Sequence, residues 1–159
     1  MHVMRRKDRE VTGDQELRGI LERCEVCRIG LSADGEVYIV PLNFGYELQD
    51  GRLLLYFHCA PEGRKLDMMA KNPRVCFEMD CDGGVITGEQ GCDYSYRYSS
   101  LMGEGILQTL TRTEDKIHAF ECLLSKYAGD REFTYSERDI DRTTVLRLTV
   151  NWTTGKRHQ

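Results

Sequence analysis

Two Asp-Gly dipeptides constrain the fold more than any other feature of this sequence. Asp34-Gly35 and Asp50-Gly51 each lie between runs rich in β-branched and aromatic residues. An Asp-Gly pair suits the two-residue turn that joins antiparallel strands, because both of its positions need a positive φ. The sequence therefore predicts three successive antiparallel strands, over residues 27–32, 36–46 and 52–58.

Apolar residues at helical spacing predict three helices beside these strands, over residues 14–24, 64–71 and 113–126. The second helix ends before Asn72-Pro73, because the residue before a proline is steered away from helical backbone. The connections between strands are mainly hairpins, which favours an antiparallel arrangement over a doubly wound sheet.

Three further β-prone runs are predicted as strands, over residues 74–80, 94–110 and 143–153. The second of them contains Gly103 and Gly105, and glycines inside a strand indicate a bend, a bulge or close approach of another backbone. The predicted fold class is mainly β (α+β): an antiparallel barrel with flanking helices.

Length and charge limit the function classes. The 159 residues fit one domain, 1–159, with residues 1–12 and 156–159 as tails or dimer arms. The chain has 22 Lys and Arg against 26 Asp and Glu, a net charge of −4, so nonspecific attraction to nucleic acid or anionic lipid is not expected. No run approaches the roughly 20 apolar residues of a membrane-spanning helix. We expect a cytoplasmic protein with no nucleic-acid or membrane partner.

The sequence Gly63-Arg64-Lys65 stands where a predicted strand leads into a predicted helix. Free N–H groups at a helix start and two adjacent cations can together hold a phosphate. Arg64 suits a bidentate contact and Lys65 a point charge. The alternative is that Gly63 only begins the helix while the two cations are solvated.

Pro41 lies near the end of the predicted strand 36–46. Proline cannot donate a ladder hydrogen bond, so it belongs at a sheet edge or a bulge. Backbone groups from Val40 to Asn43 could then pair with the polar edge of a planar heterocycle. A simple bulge at the strand end explains the same pattern.

The cysteines and histidines give weaker signals. Seven cysteines, an odd number, without a signal peptide favour reduced thiols. Cys24-x-x-Cys27 follows a helix and has no second pair, which argues against a thioredoxin-like or zinc site, and no metal is expected. His58 is the one histidine deep inside a predicted strand, and it is either structural or functional. No catalytic triad and no Rossmann or P-loop motif can be assigned.

The order and spacing of several segments resemble the split-barrel flavoproteins related to pyridoxamine 5′-phosphate oxidase, and especially their 5-nitroimidazole resistance branch. The resemblance covers most of the chain. The segments that carry it are Met4–Arg9, Val40–Tyr46, Leu55–Ala60 with Gly63–Leu66, Asn72–Phe77 and Thr154–Lys156.

This resemblance implies an FMN-binding split barrel that forms a homodimer, with the flavin at the subunit interface. By similarity, the flavin phosphate is held after the strand that contains Tyr56–His58, and the isoalloxazine lies along the strand 40–43. The residues implied in cofactor binding are Val40, Pro41, Leu42, Asn43, Phe57, His58, Gly63, Arg64, Lys65, Ser99, Ser100, Trp152 and Lys156. The last two are expected to reach the flavin of the partner subunit.

The first functional hypothesis is an FMN-dependent oxidoreductase that reduces a small organic substrate such as a nitroaromatic (nitroimidazole) compound. His58 is its candidate catalytic residue, positioning a substrate or donating a proton, and FAD could replace FMN. The segment between Tyr56 and Arg64 departs from pyridoxamine-phosphate oxidases proper, which argues against vitamin B6 oxidation. The second hypothesis is a non-catalytic flavin- or haem-binding carrier or sensor, with His58 as a haem ligand. A third class is a cysteine redox or zinc protein.

Overall fold

The computed structural model describes residues 4–129 and 131–159, without the side chain of Glu137. Its strands are β1 (Glu10–Val11), β2 (Cys27–Ala33), β3 (Glu36–Leu42), β4 (Gly45–Gln49), β5 (Arg52–Cys59), β6 (Arg74–Ile86), β7 (Ser95–Thr109) and β8 (Thr144–His158). Its α-helices are α1 (Asp14–Arg23), α2 (Arg64–Lys71), α3 (Thr113–Ala128) and α4 (Glu137–Asp141). Short 3-10 turns lie at Lys7–Arg9 and Gly91–Asp93.

Both Asp-Gly turns form as predicted, but the predicted strand 36–46 is divided into β3 and β4, which lie at opposite ends of the sheet order. The φ angles are 52° and 82° at Asp34 and Gly35, and 51° and 73° at Asp50 and Gly51. The first turn joins β2 to β3 with Ala33 opposite Glu36, and the second joins β4 to β5 with Gln49 opposite Arg52. Local turn chemistry therefore sets the register of two hairpins.

The strands form one antiparallel sheet in the order β3-β2-β6-β7-β8-β5-β4, with β1 paired to β8. This confirms the mainly β, antiparallel class. Strands β3 and β4 end the order and are not paired with each other, so the pairings do not close the sheet into a ring. Closure of the barrel stays a prediction.

The chain ends differ from the sequence-based expectation. Strand β8 continues beyond residue 153, and Lys156 pairs with Ser100 of β7. Near the other end, Glu10 pairs with Lys156. Both segments expected as tails thus contribute ordered strand. The short helix α4 was not predicted.

The core lies between the inner face of the sheet and the helices α1 and α2. Leu55, Phe57 and Leu148 are fully buried there, together with Ile20 and Leu21 of α1. Because side chains alternate along a strand, the odd-numbered residues of β5 point into this core.

The glycines of β7 allow close packing, as expected. A Cβ on Gly103 would lie 2.6 Å from the Phe77 ring, which the fold cannot accommodate without a shift. The register of β7 on β8 also shifts between Glu104 and Gly105, a β-bulge.

The outer side of the sheet is covered unequally. Helix α3 packs on β4, β5 and the start of β8, and buries Tyr56, Ala119 and Val145. The outer side of β3, β2, β6, β7 and the end of β8 still has exposed apolar side chains. In the described parts of the chain, no helix is long and apolar enough to cross a membrane.

Candidate functional site

We call the uncovered part of the sheet the open face. It is defined by the outward-pointing residues Val37, Ile39 and Pro41 of β3, Ser100 and Met102 of β7, and Trp152, Thr154 and Lys156 of β8. Val37, Ile39 and Met102 are 72%, 64% and 52% exposed. Two groups of exposed apolar side chains, at Val37 and Ile39 and at Met102, thus lie on one face of the sheet, and exposed apolar surface of this kind is typical of a surface that meets a ligand or another chain.

Strand β3 is one edge of this face, because it pairs with β2 and with no other strand in the described residues. The edge position of Pro41 confirms the prediction made from its missing N–H. An edge strand presents unpaired backbone donors and acceptors along its free side. These groups could pair with the polar rim of a heterocycle.

The side chains of the 40–43 segment do not share one surface. Val40 and Leu42 pack against the inner core, since they alternate with Pro41 along β3. Asn43 donates from Nδ2 to the carbonyl oxygen of Glu25, at 3.1 Å. Only Pro41 of this segment therefore offers its side chain to the open face.

Helix α2 runs beside β3, with its end at the Asp34-Gly35 turn, where Lys71 pairs with Asp34, and its start near Glu36 and Tyr38. Gly63 precedes the helix with a φ of 137°, a conformation that favours glycine. The Arg64 guanidinium lies 3.0 Å from the Glu36 carboxylate and 4.7 Å from the centre of the Tyr38 ring. The structure thus brings one predicted phosphate-binding cation against the predicted ring-binding strand.

Lys65 neighbours the thiol of Cys59. Burial raises the pKa of this thiol, while charge interaction and a hydrogen bond with Lys65 oppose the rise. The side chain of Arg64 is 54% exposed. The first N–H groups of a helix have no partner within the helix. Two cations and this helix start together form a site suited to an anion.

Phe57 and His58 point to opposite sides of β5. The Phe57 side chain is fully buried in the inner core, so it has no surface to offer a ligand. The His58 ring lies on the α3 side, with its centre 6.0 Å from that of Phe120. Phe120 in turn stacks on Tyr135 at 5.9 Å. The exposed His58 side chain is therefore accessible, but it lies away from Pro41 and Met102.

Ser99 and Ser100 are separated in the same way. Ser99 is 1% exposed and points inward, where Arg157 donates from Nε to its hydroxyl oxygen at 3.3 Å. Ser100 lies opposite Lys156 on the open face. Of the two, only Ser100 can contribute a side chain there.

Lys156 is the cation at the β8 end of the open face. Its ammonium lies 5.7 Å from the centre of the Tyr98 ring. Burial alone would raise the pKa of the Tyr98 phenol, but hydrogen bonds with Lys156 and Arg9 outweigh burial and lower this pKa. Trp152, across from Glu104, and Thr154, across from Met102, share this end of the face.

The two ends of the open face are far apart within one chain. Strands β2, β6 and β7 lie between β3 and β8, which is about 19 Å along the sheet at about 4.8 Å per strand spacing. The middle is polar, with Arg28 bound to Glu78 at 3.0 Å and to Asp80 at 2.7 Å. One small planar ring cannot contact both Pro41 and Lys156 of the same chain.

The Cys24 and Cys27 side chains are fully buried. Burial raises the pKa of both thiols. Thiols in this state are inert, which favours the core interpretation over a redox or zinc pair.

The sequence analysis did not identify a second polar cluster, which lies under α3. The Glu47 carboxylate, the His118 imidazole and the Cys122 thiol have ligand atoms within 4.8 Å of one another. The spacing of His118 and Cys122, four residues apart on a helix, was visible in the sequence. Glu47 could be found only from the fold.

The protein is thus a mainly β protein with one antiparallel sheet, an exposed edge strand and two cationic residues at the start of a helix. A sequence model of the family described as pyridoxamine 5′-phosphate oxidase matches residues 13–157. The chain belongs to this pyridoxamine 5′-phosphate oxidase family. No curated protein compared with the chain matches its sequence.

Solved structures agree with this assignment. A candidate 5-nitroimidazole antibiotic resistance protein from Bacteroides thetaiotaomicron is 31% identical, with a TM-score of 0.79 over 92% of this chain and 85% of that chain. An FAD- and haem-binding protein from Mycobacterium smegmatis is 18% identical, with a TM-score of 0.82 over 95% and 74% of the two chains. A flavocytochrome from Azotobacter vinelandii is 16% identical, with a TM-score of 0.81 over 99% of this chain and 73% of that chain. The last two similarities show the fold alone.

Proposed function

We propose that this chain binds FMN along the free edge of β3, between the start of α2 and the open face, and acts, as a homodimer, as a flavin-dependent oxidoreductase. The observation that carries the proposal is the start of α2, where the Arg64 side chain reaches Glu36 and Tyr38 of the exposed edge strand β3 and Lys65 is the next residue of the helix. The family match supports it. The FAD- and haem-binding protein from Mycobacterium smegmatis shares the fold and binds a related cofactor.

Arg64 and Lys65 would hold the flavin phosphate, with the first N–H groups of α2 as additional donors. A planar guanidinium can bind two phosphate oxygens at once, whereas an ammonium acts as a point charge. Gly63 leaves the approach open, since a Cβ there would meet no atom within 4 Å. Glu36 now occupies one side of the Arg64 guanidinium and would compete with the phosphate.

The isoalloxazine would lie along the free edge of β3, against Pro41 and the apolar side chains Val37 and Ile39. Backbone donors and acceptors of an edge strand suit the alternating polar rim of this ring. Because the β8 end of the face is about 19 Å away, Trp152 and Lys156 would act on the flavin of the partner subunit. A dimer of this kind would also cover Ile39 and Met102.

When bound, the flavin supplies the redox chemistry, and the protein supplies binding, orientation and electrostatics. The residues of the open face would exclude water from one side of the ring. His58 lies away from Pro41 and Met102 of the same chain, so it would position the substrate or give it a proton only where the dimer brings its exposed side chain to the flavin. We propose a small nitroaromatic compound as substrate, from the 31% identity to the candidate nitroimidazole resistance protein.

Titration with FMN tests the phosphate site. The double variant Arg64→Ala, Lys65→Ala should bind FMN at least roughly 100-fold more weakly, since hydrogen bonds to charged groups contribute about 1.5–3 kcal/mol each and two such residues are removed. The control is Lys71→Ala, at the other end of α2, where the ammonium is paired with Asp34 at 2.7 Å. Equal affinity in all three proteins would remove the phosphate assignment. Mass analysis of the flavin released by heat distinguishes FMN from FAD.

A second experiment tests the reaction. The flavin-loaded protein is reduced without oxygen and mixed with a nitroimidazole, and the return of oxidised-flavin absorption is followed. We expect oxidation by the nitroimidazole, slowed in His58→Gln if His58 supplies the proton. A flavin that stays reduced would exclude this substrate class and favour the non-catalytic carrier. A Soret band in the purified protein, lost in His58→Gln, would favour haem binding.

A further inference from the structure

We propose that Glu47, His118 and Cys122 form a Zn²⁺-binding site on the outer side of the β4–β5 hairpin. This site is separate from the open face and does not depend on flavin binding. Its three ligand types, a carboxylate, an imidazole and a thiolate, are those that zinc accepts in proteins.

The distances are close to those of a zinc site. His118 Nε2 lies 3.0 Å from Glu47 Oε1 and 3.7 Å from Cys122 Sγ. With ordinary zinc–ligand bonds, the ligand atoms of a tetrahedral site are separated by roughly 3.3–3.6 Å. Adjustments of a few tenths of an ångström at these two contacts, together with approach of the Glu47 oxygen and the Cys122 sulfur, which lie within 4.8 Å of each other, would bring the three ligand atoms around one metal ion.

The fold fixes the positions of these side chains. His118 and Cys122 are one turn apart on the same side of α3. Gly45 lets α3 approach β4 closely, because a Cβ at Gly45 would lie 2.5 Å from the carbonyl carbon of Cys122. Glu47 is two residues beyond Gly45 and points to the same side of β4. The metal would thus connect the helix to the strand at their closest approach.

Tyr56 is the positioning residue of the proposed site. Its phenol donates a short hydrogen bond to Glu47 Oε2, which leaves Oε1 directed at His118. The Tyr56 and His118 rings also meet edge to face, with centres 5.8 Å apart. Hydrogen bonds of this kind orient metal ligands and raise their affinity for the ion.

Charge and access favour zinc over a harder cation. A carboxylate and a thiolate balance a divalent ion, and a nitrogen and a sulfur ligand select late transition metals over Mg²⁺ or Ca²⁺. The side chains of His118 and Glu47 are 51% and 41% exposed, so an ion can enter. Three protein ligands leave a fourth position for water, as in catalytic zinc sites.

Cobalt(II) is the probe for this proposal, because Co²⁺ replaces Zn²⁺ and gives visible absorption that depends on its ligands. Metal-free protein is titrated with Co²⁺, and Zn²⁺ is then added in competition. We expect one Co²⁺ per chain with tetrahedral visible bands and an intense thiolate-to-metal band in the near ultraviolet. Zn²⁺ should abolish both, because it binds such sites more tightly.

Variants assign the spectrum to these residues. Cys122→Ser should remove the thiolate band, and Glu47→Gln and His118→Gln should each weaken Co²⁺ binding about tenfold or more. The control is Cys92→Ser, since Cys92 is also a free cysteine but is exposed and donates from its thiol to Gln90 and Asp93. If a variant fails to fold, the Co²⁺ titration of the wild-type protein alone tests the proposal. A wild-type spectrum without a thiolate band, or a thiolate band that persists in Cys122→Ser, would overturn the proposal.

Discussion

The two outer surfaces of the sheet differ in how their apolar side chains are covered. On the β4–β5 side the chain covers them itself: α3 packs on Tyr56 and Val145, which are 4% and 0% exposed. On the open face no helix of residues 4–129 or 131–159 does so, and Ile39 and Met102 remain 64% and 52% exposed. The first surface is complete within one chain. The second needs a ligand or another subunit to become complete.

The largest expected effect is a loss of stability on the surface that α3 covers. Gly45→Ala should lower the free energy of unfolding by about 2–3 kcal/mol, because the new Cβ would meet the α3 backbone, which cannot rotate away. Gly30→Ala is the control on the open face, where the nearest atom to a Cβ is 3.9 Å away. Its stability should stay the same or rise by up to about 1 kcal/mol. Urea unfolding measures both, and equal losses would show that the two surfaces are packed alike.

The next effect is on association through the open face. Ile39→Asp places a charge on this surface without disturbing the core, so we expect dimers to dissociate roughly tenfold to 100-fold more readily, with secondary structure unchanged. Phe133→Asp is the matched control, since Phe133 is an exposed apolar residue (38%) outside both surfaces. Sedimentation velocity over a concentration series measures the change. Similar dissociation of both variants, or of neither, would argue against the open face as the interface.

The smallest effect concerns the anion site at the edge of the open face. Glu36→Gln removes the carboxylate that competes for Arg64. Exposed ion pairs contribute about 0–1 kcal/mol, so FMN binding should tighten by a factor of roughly two to five. Asp34→Asn removes the neighbouring carboxylate, which pairs with Lys71 instead. Fluorescence titration with FMN should show tighter binding for Glu36→Gln alone, and weaker binding would indicate that Glu36 orients Arg64 for the phosphate.

Local chemistry made much of the fold predictable. The Asp-Gly turns need no tertiary context, so the hairpins around Gly35 and Gly51 were found from sequence. The end of β8 was not predicted from the sequence, because residues 154–158 are mostly polar and form a strand only by pairing with β7. One sequence feature could have predicted helix α4, namely a serine at its N-cap: the Ser136 side chain accepts a hydrogen bond from the Asp139 N–H.

The candidate site was predictable in part. The position of Gly63–Lys65 at a helix start was predicted because the signals for a helix start are local, whereas the role of these residues in binding phosphate stays a prediction. The family resemblance implied cofactor contacts for pairs of adjacent strand residues, but neighbouring side chains on a strand point to opposite sides. Ser99 and Phe57 are therefore buried, whereas Ser100 and His58 are not. The Glu47 cluster depends on contact between distant segments, which no local pattern reveals.

Sedimentation velocity of the protein mixed with FMN, recorded at both protein and flavin absorption, tests the central claim most directly. We predict that flavin and protein move in one boundary with twice the chain mass of 18.4 kDa. A flavin-carrying boundary at the mass of a single chain would contradict the shared site. A protein boundary that carries no flavin would contradict the cofactor assignment itself.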